Sequence, residues 1–258
     1  MDVLLESIIL VILLFIVLLL AYCFHKIRRI DNNISEILFR VMKIQRTDLV
    51  DIFQQRQNLD ILQHELSLTR PLPPTRGWAA SPDFLLIIAR HASEAKPDTV
   101  VECSSGTSTV VLASCLRENG KGHVYSLEND KAFAETTRSH LEREGLSEWA
   151  TVLHAPLVRQ DVGERQFSWY DHQNLPDSAI DMIIVDGPPH LVGNMARYPA
   201  GPKLFTRLAD GGTVFADDAD RSEEEATLAA WRQEFPTFQE GYHYCEKGCI
   251  SFRKPDTP

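Results

Sequence analysis

Residues 99–109 read Thr-Val-Val-Glu-Cys-Ser-Ser-Gly-Thr-Ser-Thr, and this stretch decides the fold. Thr99 to Cys103 is apolar enough for a buried strand. The small residues that follow predict a tight turn, and Ser108 to Glu118 a helix. A bend of this kind lets backbone amides approach a ligand at the start of the helix. It is not a dinucleotide fingerprint, because Gly106 is the one glycine of G-x-G-x-x-G that is present.

Working outward, His123 to Leu127 is a second strand, and it runs into Glu128, 22 residues beyond Gly106. A carboxylate at that place accepts two hydrogen bonds from a ribose diol, the alternative being a surface acid at a strand end. Lys131 to Glu144 is helical. Ala150–His154, Ile180–Val185 and Thr213–Ala216 read as further strands, with helices at Lys203–Ala209 and Glu223–Phe235. Strands near Glu240–Tyr244 and Cys249–Arg253 close the chain around a Glu-Lys-Gly turn. Strands alternating with helices predict an α/β fold, a doubly wound and mostly parallel seven-stranded sheet. Ligands of such sheets sit beyond the carboxyl ends of the strands. Upstream, Ser81-Pro82-Asp83 predicts a capped helix start leading into Phe84–Ala95.

Three acids follow strand ends: Asp186, Asp217 and Asp218. Carboxylates that converge are protonated, solvated apart or bridged by a cation. Asp217, Asp218 and Asp220 also suit the cap of the next helix. In the loop Met195–Pro199, Arg197 and Tyr198 either contact a substrate or pack on the sheet. Phe167, Trp169 and Tyr170 form an aromatic cluster, read as packing ahead of a substrate platform.

The chain has 258 residues and a net charge of −10. Residues 1–77 are nearly neutral, so the acidity lies in residues 78–258. An acidic domain repels phosphate backbones, which argues against nucleic acid as a partner. Five cysteines with no zinc spacing read as reduced thiols.

Ser7 to Phe24 carries no charge over 18 residues. Residues 1–25 are therefore expected to form a transmembrane anchor rather than a cleaved signal, since the start is acidic and Tyr22 precedes Cys23. His25, Lys26, Arg28 and Arg29 follow it, which predicts a single pass through the cytoplasmic membrane with the remaining chain on the cytoplasmic side. Residues 26–69 are expected to form a helical stalk. Ile27, Ile30, Ile34, Ile37, Val41 and Ile44 step like a coiled-coil seam, with a weaker shifted frame at Leu49, Ile52, Leu59, Leu62 and Leu66. The seam predicts a parallel homodimer, the alternative being a lone amphipathic helix. Residues 70–77, Arg-Pro-Leu-Pro-Pro-Thr-Arg-Gly, read as a stiff linker to the domain at 78–258.

The stretch VVECSSGTSTVVLA resembles motif I of class I S-adenosyl-methionine-dependent methyltransferases. SLEND is similar to their ribose-binding strand end. IDMIIVDGPP and LADGGTVFADDADR resemble the later motifs of small bacterial O-methyltransferases with a catechol O-methyltransferase-like layout. The resemblance covers residues 78–253 and implies a Rossmann-like methyltransferase fold. It implies that Glu102 and the turn Ser104, Ser105, Gly106, Thr107 and Ser108 hold the methionine part of S-adenosyl-methionine. Glu128 would bind the ribose with Asn129 beside it, and Ala155 would line the adenine pocket. Asp186, Asp217 and Asp218 match the family's ligands for Mg²⁺ or another divalent cation, with Asp218 in place of the family's Asn, and that ion would activate a hydroxyl for transfer. Two departures stand out. Ser104 replaces a glycine, and the segment after Asp186 offers His190 where the family has a lysine base, so Asp186 and His190 are the candidate catalytic pair. The implied reaction is O-methylation of a small-molecule or lipid-linked acceptor, a saccharide being one class. The competing readings are an aminopropyltransferase-like enzyme and a non-catalytic coiled-coil adaptor.

Overall fold

The computed structural model describes residues 2–66, 68 and 70–256, the side chains of residues 2–12, 32, 35 and 39–48 excepted. The chain divides into two compact units, Met1–Gln54 and Gln55–Pro258. The first is the greater part of one long helix, α1 (Asp2–Glu65). Along it Ile27, Ile30, Ile34 and Ile37 are exposed, while Val41 and Ile44 lie outside the described side chains.

The expected membrane-spanning helix is corrected here. Among the described residues, no helix is long and apolar enough to cross a membrane. The described side chains of the apolar run extend only from Leu13 to Phe24. Residues 7–12 of the run lie outside the described side chains. The placement in the cytoplasmic membrane, which rested on this helix, falls with it.

The second unit begins inside α1. Leu62 and Leu66 are buried in the core of the unit, so the last apolar positions of the shifted frame pack on the chain's own domain. Gln55 fastens this end: its Nε2 donates to Asp83 Oδ2 at 2.6 Å, and its Oε1 accepts from the Asp83 amide at 3.2 Å. Asp83 lies in the first turn of α2 (Pro82–Ala95), where Ser81 holds the cap position as predicted. The Ser81 hydroxyl is buried without a hydrogen-bond partner, however, and makes no cap bond. The proline segment is docked on the domain: Arg70 Nη1 donates to the Arg143 carbonyl at 2.9 Å, and Arg76 pairs with Glu246.

The remaining elements follow in order as β1 (Thr99–Cys103), α3 (Thr107–Asn119), β2 (His123–Glu128), α4 (Lys131–Arg143), β3 (Ala150–His154), β4 (Leu157–Val162), β5 (Arg165–Tyr170), β6 (Ile180–Val185), α5 (Ala200–Leu204), β7 (Leu208–Asp217), α6 (Ser222–Glu234), β8 (Gln239–His243) and β9 (Cys249–Arg253). Seven strands make one sheet in the order β3-β2-β1-β6-β7-β9-β8. The expectation of a mostly parallel sheet is corrected to a mixed one. The pairs β1–β2, β1–β6, β2–β3 and β6–β7 are parallel, whereas β7–β9 and β8–β9 are antiparallel. The cause is the tight Glu246-Lys247-Gly248 turn, which forces β9 to double back on β8 and so to run against β7. A second sheet, the hairpin β4–β5, was not expected.

Apolar side chains cover both faces of the sheet. On one face Phe84, Leu112 and Leu116 from α2 and α3 pack under β1; on the other Phe205, Trp231 and Trp169 pack under β6 and β7. Trp169 and Tyr170 are fully enclosed and pack in the core, whereas Phe167 is half-buried against Tyr198. Chain order places the site. The chain moves from β1 outward to β3, then returns to β6 on the other side of β1. The carboxyl ends of β1, β2, β6 and β7 therefore share one edge, with the reversal point between β1 and β6.

Candidate active site

The turn after β1 is held in a shape that few side chains accept. Ser104 has φ +109° and Gly106 φ +143°, both in the region that favours glycine. The Ser104 amide donates to the Leu127 carbonyl at 2.9 Å, which ties the turn to the end of β2. Position 104 thus keeps a glycine-like backbone while carrying a serine, a strain of about 1–3 kcal/mol. Ser104→Gly is expected to raise stability by about 1 kcal/mol once the larger unfolded-state entropy of glycine is subtracted. In a thermal melt that is a gain of roughly 2–4 °C; a lower melting temperature would contradict the strained geometry.

Glu102, on β1, is fully buried. Its Oε2 accepts from Thr109 Oγ1 at 2.5 Å and from Ser126 Oγ at 2.6 Å, and its Oε1 has no partner. Burial pushes its pKa up, against the lowering effect of the hydroxyls. Glu128 ends β2. Its Oε2 accepts from Ser105 Oγ and its Oε1 from the Asp130 amide, both at 2.9 Å. Burial raises its pKa as well. Each carboxylate oxygen has two lone pairs, so both keep capacity for a further donor.

A cavity of about 310 Å³ opens over this turn. Ser104–Ser108 form one wall and Phe133 and Thr137 of α4 another, with Pro74 and Trp78 from the proline segment as cover. Thr107 Oγ1 donates to the Pro74 carbonyl at 3.0 Å and holds that cover down. Asp186 lies at the end of the cavity. Glu102, Glu128, Asn129 and Ala155 are not on its wall; Glu128 reaches it through Ser105, and the Ala155 amide donates to the Glu128 carbonyl at 2.7 Å.

Asp186 follows β6, and its amide donates to the Cys103 carbonyl at 3.2 Å. Gly187 beside it has no room for a side chain, since a Cβ would meet the Tyr170 hydroxyl and the Cys103 carbonyl. Asp217 ends β7, and Asp218 follows with φ +63°, a conformation aspartate tolerates. One oxygen from each of Asp186, Asp217 and Asp218 lies within 4.8 Å of the others. The sequence thus named three acids that the fold does bring together.

It gave no sign of the cations among them. Arg197 is about 5% exposed. Its Nη2 donates to Asp218 Oδ2 at 2.7 Å and to Asp186 Oδ1 at 3.5 Å, and its Nη1 donates to the Asp217 carbonyl at 3.0 Å. Its Nε lies 3.4 Å from Glu224 Oε1. Burial opposes this charge, but Asp186, Glu224 and Asp218 outweigh it and raise the guanidinium's pKa. Lys247 Nζ stands 3.6 Å from Asp218 Oδ1 and 3.8 Å from Asp217 Oδ2, and Arg221 Nη2 is 2.9 Å from Asp218 Oδ1. Three carboxylates are a donor set that a divalent ion takes. Here, however, a guanidinium already holds Asp186 and Asp218, and the set does not fit the expected Mg²⁺ as it stands.

Asp217 is the exception, with both carboxylate oxygens buried and without hydrogen-bond partners. Burial, then Asp186 and Asp218, push its pKa up to about 8, and burial pushes Asp186 up to about 6. A folded-state value above the unfolded one means that the native state binds more protons. The contribution to stability is then complete below pH ~4 and is lost as pH rises toward 8. Asp217→Asn is expected to flatten this loss by a few kcal/mol between about pH 5 and 9, read from urea unfolding at each pH. A parallel pair of curves would contradict it.

His190 is exposed, in a single helical turn (His190–Val192). With Asp186, Arg197, Lys247 and Trp78 it lines a second, smaller cleft of about 30 Å³. Tyr198 does not reach the cleft; its hydroxyl donates to Glu234.

The strand–turn–helix cradle lies at the switch point of the sheet, with Glu128 ending the next strand. Residues 101–219 match the family described as "Methyltransferase domain". None of the curated proteins matches the chain. Solved structures share its fold at low identity. An SAH-bound methyltransferase from Podospora anserina is 14% identical with a TM-score of 0.55, over 82% of this chain and 96% of that one. An O-methyltransferase from Bacillus cereus in complex with SAH is 16% identical with a TM-score of 0.54, over 80% and 97%. A putative caffeoyl-CoA O-methyltransferase from Staphylococcus aureus is 14% identical with a TM-score of 0.51, over 82% and 99%.

Proposed function

We propose that the protein methylates a hydroxyl oxygen of a small-molecule acceptor bound between its two clefts. The observation that carries this reading is that Asp186 and Trp78 line both the large cavity and the small one. An acceptor lying across them meets a carboxylate at the place where the methyl group would be delivered. Proteins of the same fold that bind SAH or are O-methyltransferases agree with it.

When bound, the cofactor supplies an electrophilic methyl group. The chain's own part begins with the turn Ser104–Ser108, which walls the cavity. Glu102, buried behind this turn, braces it through Thr109 and Ser126. Glu128 and Asn129 hold the ribose and Ala155 backs the adenine. Asp186 accepts the proton of the acceptor hydroxyl. Its pKa, pushed up to about 6, leaves it ionised near neutral pH and still basic enough for the task. His190, at the mouth of the smaller cleft, passes that proton to solvent. Trp78, 78% exposed, offers a flat apolar face for a ring or sugar on the acceptor.

The test compares ligands and then follows the methyl group. S-adenosyl-methionine should bind more tightly than its decarboxylated form, and labelled methyl should appear on an oxygen of one member of a panel of catechols and saccharides. Preference for the decarboxylated form would replace this reading with aminopropyl transfer. No binding of either would leave a non-catalytic adaptor.

A further inference from the structure

We propose that the guanidinium of Arg197, backed by Lys247, is the resident cation of the Asp186–Asp217–Asp218 cluster, in the place where a divalent metal ion would otherwise bind. This rests on the proposed reaction only for what the cluster serves; the binding claim stands on geometry. Arg197 is pinned at both ends. Its backbone carbonyl accepts from the Ala200 amide at 3.1 Å, and the side chain turns inward to meet Asp186, Asp218, Glu224 and the Asp217 carbonyl. Nothing exposed competes for it, since only about 5% of the side chain reaches solvent.

The charges are nearly balanced without a metal. Asp186, Asp217, Asp218 and Glu224 face Arg197, Arg221 and Lys247. A divalent ion among the three aspartates would have to displace the guanidinium from Asp186 and Asp218. That would leave a buried guanidinium with Glu224 as its one carboxylate, beside the Asp217 carbonyl, and stripping a buried cation of its charged partners is strongly unfavourable. The arrangement instead orients Asp186 as a single charge toward the cleft it shares with His190. Arg197, which holds Asp186 and Asp218, and Lys247, beside Asp217 and Asp218, are thus positioning residues of the cluster.

Titration of the purified full chain with Mn²⁺, followed by the loss of the free-ion electron paramagnetic resonance signal, tests the idea directly. The wild type is expected to show no saturable binding into the millimolar range. Arg197→Met should acquire one site per chain, because the acids lose their cation. Arg197→Lys should stay metal-free, because the charge is restored. Stoichiometric Mn²⁺ binding by the wild type, abolished in Asp217→Asn, would overturn the proposal, as would a folded Arg197→Met that binds no ion. The wild-type arm needs no variant, so a failure of Arg197→Met to fold does not remove the test. SAH binding on the same samples reports on the cofactor site separately. A wild type that binds both SAH and Mn²⁺ ends this inference and leaves the methyltransferase reading intact.

Discussion

Glu128→Ala is expected to weaken SAH binding by about two orders of magnitude while leaving the fold in place. A carboxylate that accepts both hydroxyls of a ribose makes two charge-assisted hydrogen bonds of roughly 1.5–3 kcal/mol each. Losing even one and a half of that pair corresponds to about 3 kcal/mol, or roughly a hundredfold. The variant acts twice, because Glu128 also accepts from Ser105 Oγ and from the Asp130 amide. Ser105 belongs to the turn that walls the cavity, so its release loosens the cradle as well as removing the anchor. Glu128→Gln keeps one acceptor oxygen and should fall between the two. Calorimetric titration with SAH, with far-ultraviolet circular dichroism as the check on folding, gives the answer. Wild-type affinity in a folded Glu128→Ala protein would remove Glu128 from the cofactor site.

How much of this could be read beforehand follows from what each element needs. β1 and β6 were legible because a strand buried on both faces shows as a plain apolar run, Thr99–Cys103 and Ile180–Val185. The small-residue turn before α3 was legible because few sequences permit it. The hairpin β4–β5 was not: Leu157-Val-Arg-Gln-Asp-Val162 is half polar and largely exposed, so its pairing with Arg165–Tyr170 leaves little hydrophobic signal. The α1 pattern was ambiguous in kind. An apolar stripe reads the same whether it meets a second copy or its own domain, and Leu62 and Leu66 meet their own domain. Ser104 stands where a glycine is usual, and it keeps the glycine-like backbone, φ +109°. For the candidate site, strand ends announced Asp186, Asp217 and Asp218, but Glu224 comes from the first turn of α6, Arg197 from a loop between β6 and α5, and Lys247 from the turn between β8 and β9. Local pattern carries no information on where a long flexible cation will end.

Arg197→Met should lower the unfolding free energy by about 3–5 kcal/mol, the range for removing one partner from a buried ion pair. The size follows from what is left behind. Asp186, Asp218 and Glu224 all lose their nearest shared cation, and Asp218 keeps only Arg221 at 2.9 Å and Lys247 at 3.6 Å. For a unit of this size the melting temperature should drop by roughly 10 °C or more. A surface arginine would not behave this way, because an exposed pair contributes at most about 1 kcal/mol. Asp218→Asn made on top of Arg197→Met should recover part of the loss, since it removes one of the stranded charges. The double variant would then be less unstable than the sum of the two singles, with a coupling of about 1 kcal/mol or more. Urea unfolding of the four proteins measures the cycle. Additive effects would show that Arg197 and Asp218 do not act as a pair, and the acids would then need another source of positive charge to be held so close together away from water.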